Sequence, residues 1–311
     1  MRPASEHRIR QLDRDLRTFA AEDYPLPGIE AATARASFLE QLAESLRRVE
    51  YYAAIEQRHI SPLRADPTSP LFDPIKAALL FKRTGEFDEA CWMVFVAVHF
   101  GKNRLSGWRL ARDVIGRLGT APSWSWRRIS RRAAAFRQWL HGASQRLRSG
   151  DGVHRAFGNH RKYQSLGGWT GNGTGEAVAS YIEWVGPSKT HRVIFDEALR
   201  RSANNPRQAF DDLYRSMTQV RSFGRTARFD YLTMLANLGL VGIEPGSTYM
   251  SGATGPHTGA RLLFQDRVAT RPLLDRRLVR LGEHLGVHMN VIEDTLCNWQ
   301  KSPTEFRPFR G

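Results

Sequence analysis

The sequence predicts an all-α protein, and three observations support this fold class. Apolar residues recur with a period near 3.6 in several long segments, which is the signature of amphipathic helices. Alternation of apolar and polar residues, which would indicate strands, is not convincing anywhere, and we find no tandem repeat or low-complexity tract. The 311 residues, of which 41% are hydrophobic, suffice for one large or two small domains with a hydrophobic core.

The first predicted helix runs from Ala31 to Glu56, where Phe38, Leu42 and Leu46 lie on one face between charged residues. Three prolines before Leu71 make the stretch 61–74 an irregular connection. The segment 86–100 is apolar on nearly every side and should be a buried helix. Further helices are predicted at 75–81, 177–185, 208–220, 228–238, 259–264, 273–285 and 287–299.

The charge balance indicates a polyanionic partner. Lysine and arginine total 46 against 31 acidic residues, a formal net charge of +15, and nucleic acid is the commonest partner of such proteins. Between Arg127 and Lys162 the only acid is Asp151, so this stretch should form a basic face. A glycine-rich stretch follows it and predicts loops that can grip a ligand.

Cysteine content and hydropathy exclude several classes of protein. With only Cys91 and Cys297, the chain cannot build a disulfide framework, a four-cysteine zinc site or an all-cysteine iron–sulfur cluster. Residues 1–17 have no apolar core of signal-peptide length, and no later run is long enough to span a membrane. We therefore expect a cytoplasmic protein without a membrane partner.

The segment 252–264, which reads GATGPHTGARLLF, is the most informative stretch. Its small residues suggest a turn between two helices, the second of which begins near Pro256. Glycine allows close backbone approach to a phosphate, and the helix N-terminus offers unpaired N–H groups and a positive dipole. Gly255, His257 and Thr258 are therefore candidate DNA contacts. An ordinary glycine-rich turn between helices is the alternative.

This segment resembles the hairpin of the helix-hairpin-helix DNA glycosylases, G-x-G-x-x-T-A, with Ala253 and Gly259 as departures. The family's apolar-Asp pair is matched by Leu274-Asp275. The resemblance implies two packed helical subdomains with a cleft between them, and a monovalent cation in the hairpin as the only cofactor to consider. Bifunctional members carry a lysine where this chain has His257, so the resemblance implies a monofunctional enzyme that leaves abasic sites.

A closer resemblance, from about Asp88 to the end, is to the α-glutamyl/putrescinyl thymine pyrophosphorylase-like family, considered glycosylase-derived. The stretches that carry it are FDEACWMVFVAVHFGK (87–102), SFGRTARFDYL (222–232), GATGPHTGARLLF and EDTLCNWQKSP (293–303). It implies double-stranded, hypermodified phage DNA as the partner, with no obligate protein partner. It also implies an N-terminal helical extension, residues 1–65, ahead of a catalytic region, residues 66–311, with its hairpin at about 250–264.

Asp275 is the candidate catalytic residue. Breaking an N-glycosidic bond passes through an oxocarbenium-like sugar, and a nearby carboxylate stabilises that charge and orients water. Capping of its own helix is the alternative role, because aspartate is favoured at helix N-termini.

A base pocket and a DNA-contacting surface complete the predicted site. Phe223, Arg225, Phe229 and Asp230 combine aromatic faces with charges, as an extruded base requires. The alternative puts both phenylalanines in the core, with Arg225 and Asp230 paired on the surface. The candidate DNA wedge and phosphate contacts in the basic loop are His160, Arg161, Tyr163 and Gln164, and Trp169 adds a stacking surface. A further candidate group of phosphate contacts, earlier in the chain, contains Lys102 and Arg104.

We expect no catalytic metal, because His284 and His288 lack a third ligand, and no ATP, because Gly171-Asn172-Gly173 lacks the P-loop lysine. The resulting hypothesis is a monofunctional glycosylase that excises a hypermodified pyrimidine in antiviral defence, and the resemblance implies glucosylated 5-hydroxymethylcytosine as that base. One alternative is a base-modifying pyrophosphorylase or transferase that acts on activated 5-hydroxymethyluracil in DNA. A non-catalytic DNA-binding module is the other.

Overall fold

A computed structural model describes residues 3–308 and confirms the all-α class. These residues form fourteen α-helices and contain no β-strand. In chain order the helices are α1 (Pro3–Glu22), α2 (Ala32–Glu56), α3 (Pro74–Arg83), α4 (Phe87–Phe100), α5 (Arg109–Ile115), α6 (Trp126–Ile129), α7 (Ala133–Gln145), α8 (Thr174–Val185), α9 (His191–Arg201), α10 (Pro206–Ser216), α11 (Arg225–Asn237), α12 (Gly255–Phe264), α13 (Arg271–Leu285) and α14 (Met289–Trp299).

The described chain divides into two compact units. The terminal unit contains residues 3–54 and 244–308, and the central unit contains residues 55–243. In the terminal unit the N-terminal helices pack with the C-terminal helices in one core. Such a pairing of distant segments leaves no local signal in the sequence. The expected division into an extension, residues 1–65, and a catalytic region, residues 66–311, stays a prediction.

Two glycines of α12 determine how the terminal unit packs. A methyl group at Gly255 would lie 2.9 Å from the Cys297 sulfur, and one at Gly259 would lie 2.5 Å from the Leu296 carbonyl oxygen. Both contacts are on α14, so α12 and α14 approach so closely that only glycine fits. Phe38 of α2 packs edge-on against Trp299 of α14, with ring centroids 5.1 Å apart.

The central unit is built around α4, every residue of which is buried from Ala90 onward, as its uniform hydrophobicity predicts. Asp73 caps the preceding helix, α3, by accepting hydrogen bonds from the amides of Ile75 and Lys76. The segment 61–73 contains only a short 3-10 turn, Pro62–Arg64, which agrees with its predicted irregularity.

The hairpin differs from the expectation. The preceding helix, α11, ends at Asn237, and residues 238–254 contain no helix, so the expected helix–turn–helix geometry is absent. The helix start near Pro256 is confirmed, since α12 begins at Gly255. Five further helices, α1, α5, α6, α7 and α9, were not predicted from the periodicity.

Candidate active site

Asp230, on α11, forms the centre of a polar cluster in the central unit. Arg161 is buried, and its Nη2 donates a hydrogen bond to Asp230 Oδ2 at 2.8 Å. Arg161 Nε donates to the carbonyl oxygen of Val98, at 2.7 Å, near the end of α4. The guanidinium is therefore fixed from two sides and in turn fixes the carboxylate.

Asp230 is a partly exposed carboxylate among cationic side chains. Its side chain is 41% exposed, so solvent and small ligands reach it. Burial by the surrounding atoms nevertheless raises its pKa, against the opposing effect of the nearby charges of Arg161, His160 and Arg225. The site thus combines one accessible carboxylate with cationic groups, an arrangement able to exchange a proton and bind an anion.

The two phenylalanines predicted to line the base pocket are buried. Phe223 stacks on Phe95 of α4, with ring centroids 4.9 Å apart and an angle of 3° between the rings. The Arg225 guanidinium lies 4.9 Å from the centroid of the Phe229 ring. Both rings therefore support the site from the core, contrary to the expectation that they present stacking faces to a base. The alternative, which put both phenylalanines in the core, agrees with this burial. Arg161 binds the Asp230 carboxylate directly, and the charge of Arg225 also acts on it.

His99 is a buried residue next to this site that the sequence analysis missed. Its Nε2 lies 3.0 Å from the Thr174 hydroxyl, which donates to the Ser165 carbonyl oxygen, so His99 Nε2 is the donor. Burial lowers the pKa of His99 to about 3, and the charge of Arg161 acts in the same direction. The imidazole is therefore neutral at physiological pH, and it links α4 to the start of α8.

We define the aromatic segment as residues 159–172, which begin within the end of the basic stretch and continue beyond it. Of the predicted contact residues in it, His160 is exposed, Tyr163 is 91% exposed and Gln164 donates to the Ser222 carbonyl oxygen at 3.2 Å. Arg161 is the exception, because it is buried and bound within the protein. It therefore supports Asp230 and is not placed to contact a phosphate directly.

The predicted phosphate contacts Lys102 and Arg104 are exposed on a tight turn. Asn103 pairs with Gly107 through two backbone hydrogen bonds, and its side-chain oxygen accepts from the amides of Leu105 and Ser106. Leu105, at the tip, is 81% exposed, although the sequence analysis did not select it. An exposed apolar side chain between cations is a group that proteins insert between base steps.

In the terminal unit, cations surround the start of α12. Burial lowers the pKa of His257, and the charges of Arg271 and Arg261 lower it further, which places both arginines near this residue. Thr258 is exposed, and its hydroxyl donates to the Thr254 carbonyl oxygen. A helix N-terminus beside such cations is an arrangement that can attract an anion. Gly255 packs closely against α14, and this contact accounts for a glycine at the position without a phosphate.

Asp275 lies in the second turn of α13, close to the chain that leads into α12. Its Oδ1 accepts from the Thr248 hydroxyl at 2.5 Å, and its Oδ2 accepts from the Met250 amide at 3.0 Å. The helix cap is Thr270, whose hydroxyl accepts from the Leu273 amide, so the alternative capping role of Asp275 is not realised. The carboxylate instead holds residues 248–250 against α13.

A chain of buried hydrogen bonds crosses the central unit. Asp88 accepts from the backbone amide of His191 and pairs with its Nδ1 at 2.8 Å. The Tyr181 hydroxyl lies 2.6 Å from His191 Nε2 and 2.8 Å from the Tyr231 hydroxyl. This network links α4, α8, α9 and α11, so it fixes the helix that carries Asp230.

Within residues 3–308, no three histidine, cysteine, aspartate or glutamate side chains lie together in a metal-binding arrangement. Over the same residues, the helices are too short or too polar to cross a membrane.

Comparison with known proteins identifies the family. No curated protein and no solved structure shows a significant match. The sequence model of one family, described as alpha-glutamyl/putrescinyl thymine pyrophosphorylase clade 3, matches residues 33–311. This match covers nearly the whole chain and begins well before Asp88, where the resemblance was expected to start. The chain therefore belongs to the alpha-glutamyl/putrescinyl thymine pyrophosphorylase family, clade 3.

Proposed function

We propose that the protein modifies a pyrimidine base in DNA by pyrophosphorylase-type chemistry, with the reacting base held at Asp230. The family description names this chemistry and a thymine carrying an amine-derived substituent. The observation that carries the proposal is the partly exposed carboxylate of Asp230, which Arg161 binds and on which the charges of His160 and Arg225 also act. Cations suit a pyrophosphate leaving group, and a carboxylate suits proton removal from an amine.

The proposed step exchanges one bond for another. The nitrogen of an amine attacks the methylene carbon attached to C5 of a pyrimidine whose hydroxymethyl group carries pyrophosphate. A C–N bond forms as the C–O bond breaks, and pyrophosphate leaves with the bonding electrons. The nitrogen then loses a proton to Asp230, while Arg225 and His160 offset the charge of the leaving group. The N-glycosidic bond remains intact.

Product analysis tests this proposal. Purified protein is incubated with DNA containing pyrophosphorylated 5-hydroxymethyluracil and with putrescine or glutamate, and the DNA is then digested to nucleosides for mass spectrometry. We expect a heavier nucleoside and one pyrophosphate released for each amine incorporated. Intact substrate nucleoside after incubation with either amine would contradict the proposal.

Hydrolysis of the N-glycosidic bond is the second candidate, and the placement of Asp275 favours it. This carboxylate is anchored by Thr248 and Met250, next to the turn that leads into α12. A glycosylase of this kind would release a modified pyrimidine, with glucosylated 5-hydroxymethylcytosine in phage DNA as the first substrate to test, and an antiviral role would follow. It would leave alkali-labile abasic sites, and borohydride would trap no covalent DNA adduct at His257.

Release of free base by the wild type distinguishes the two candidates, and Asp275→Asn tests the catalytic role of this carboxylate. If Asp275 stabilises an oxocarbenium-like sugar, this variant should release free base at least about 10²-fold more slowly while binding DNA normally. The assay measures free nucleobase from unmodified, hydroxymethylated and glucosylated phage DNA. Base release at the wild-type rate would exclude Asp275 as the catalytic group.

A further inference from the structure

The aromatic segment, residues 159–172, exposes two large rings that the proposed chemistry does not use. Tyr163 is 91% exposed and Trp169 is 49% exposed. The other seven tryptophans of the chain are buried or half-buried. Exposed aromatic rings are costly to hydrate, and two on one short segment suggest a surface that stacks on a ligand.

Each of the two rings is paired with a cation. Lys162 Nζ lies 5.1 Å from the centroid of the Tyr163 ring, and the Arg137 guanidinium lies 4.4 Å from that of Trp169. Arg137 is itself fixed, because its Nε donates to the Gly168 carbonyl oxygen and its Nη2 pairs with Glu176 at 2.8 Å. Aromatic rings combined with cations provide stacking for bases and attraction for phosphates at once.

The backbone under these rings is firmly held. Ser165 and Gly173 form a parallel bridge, and the Gly175 amide donates to the Gly167 carbonyl oxygen. A methyl group at Gly173 or Gly175 would lie within about 2.2 Å of the carbonyl oxygens of Gly167 and Gly168, respectively. The Ser222 hydroxyl donates to the Asn172 carbonyl oxygen, which joins the segment to the chain just before α11. The rings are therefore presented on a preorganised loop.

We propose that Tyr163 and Trp169 stack on unpaired bases, so that the aromatic segment is a binding surface for single-stranded DNA. The proposal relies on the proposed function only in taking DNA as the polymer. Bases in a duplex stack on one another and offer only their edges, whereas an unpaired base offers a whole face. The surface would thus hold bases beside the reacting nucleotide in an opened strand.

Binding of an unmodified oligonucleotide tests this inference without any reaction. Fluorescence anisotropy compares a labelled single strand with the same strand annealed to its complement. We expect the wild type to bind the single strand more tightly. Trp169→Ala and Tyr163→Ala should each weaken single-strand binding by about 5- to 100-fold, whereas Trp169→Phe should retain most of it. Tyr51→Ala removes another exposed ring, 52% exposed on α2, and should bind as the wild type does.

Tryptophan emission gives an independent measurement. Because Trp169 is the most exposed tryptophan of the chain, single-stranded DNA should quench part of the emission of the wild type and much less of that of Trp169→Phe. Unchanged affinity in both alanine variants, or tighter binding of the duplex, would overturn the inference. If the wild type binds single-stranded DNA as expected but does not modify the nucleoside, only the proposed function is contradicted.

Discussion

At the scale of single residues, the raised pKa of Asp230 indicates that its ionised carboxylate lowers the stability of the folded protein. Burial raises this pKa above that of the unfolded chain, in spite of Arg161. The folded protein therefore holds the ionised carboxylate less well than the unfolded chain does, and stability should increase as the pH falls through the raised pKa. A carboxylate that costs stability when it is ionised is more readily explained by chemistry than by packing.

Asp230→Asn should consequently abolish activity without unfolding the protein. Asparagine keeps an oxygen for Arg161 but cannot accept the proton, so nucleoside modification should fall at least about 10²-fold. The free energy of unfolding at pH 7 should be unchanged or higher. Mass spectrometry and urea denaturation measure the two quantities, and Asp196→Asn, an exposed carboxylate on α9, is the matched control. A large loss of stability in Asp230→Asn would assign the residue a structural role.

His99 makes the stability of the central unit depend on pH. Its pKa is about 3 in the folded protein because of burial, against about 6.5 when unfolded. A depressed histidine pKa contributes stability that is complete above about pH 6.5 and is lost as the pH falls toward 3. Burial also lowers the pKa of His191, although Asp88 opposes this effect, so acid should destabilise the same unit through both imidazoles.

We expect His99→Gln to remove part of this pH dependence. Glutamine can still donate to Thr174, but it does not titrate. Between pH 6 and 4 the stability of the wild type should fall more steeply, by about 1.4 kcal/mol per pH unit for this one proton. Urea denaturation of both proteins at several pH values measures the two slopes. Parallel slopes would show that His99 does not remain neutral when buried.

At the scale of helices, the packing of α12 on α14 depends on Gly259. An added methyl group would meet the Leu296 carbonyl oxygen, a backbone atom that cannot turn aside. Gly259→Ala should therefore lower the free energy of unfolding by about 1–3 kcal/mol. Gly142, within α7, has no atom near an added methyl group, so Gly142→Ala should stabilise by up to about 1 kcal/mol. Denaturant titration compares them, and equal effects would contradict the packing argument.

Helix periodicity predicted the elements that bury one continuous face. The bounds of α2 and α4 agree with the structure within a residue or so, since both carry long apolar patterns. The helix α7 lies within the basic stretch but contains only one arginine, Arg137. It was not predicted because the charge of the whole stretch was interpreted as a basic face. The hairpin failed as a prediction because small residues also serve helix packing, as Gly255 and Gly259 do against α14.

The candidate site was only partly predictable for a related reason. Asp230 and Arg161 were both selected, from separate motifs, but nothing in the sequence pairs residues so far apart. His99 was missed because it lies in a helix that reads as uniform core. Phe223 and Phe229 were assigned to a base pocket from their chemistry, whereas the tertiary packing buries both rings. The sequence therefore indicated which residue types belong to the candidate site, but it did not show which way their side chains point.

At the scale of the whole molecule, the net charge of +15 predicts binding to DNA but does not locate it. Many arginines are neutralised within the protein. Arg155, for example, pairs with Asp113 and Asp151 and is almost fully buried. Only exposed cations near a built anion site should release counterions when DNA binds, and Arg271, beside His257 at the start of α12, is such a cation.

Salt titration of Arg271→Gln measures that contribution. Each neutralised phosphate adds about 0.7 to 0.9 to the slope of log K against log salt concentration, so this variant should have a shallower slope by about that amount. Arg215→Gln removes an equally charged side chain that is 75% exposed but pairs with Asp211 on its own helix, and its slope should match that of the wild type. Equal losses of slope in the two variants would mean that net charge alone drives binding. A loss confined to Arg271→Gln would locate a phosphate at the N-terminus of α12.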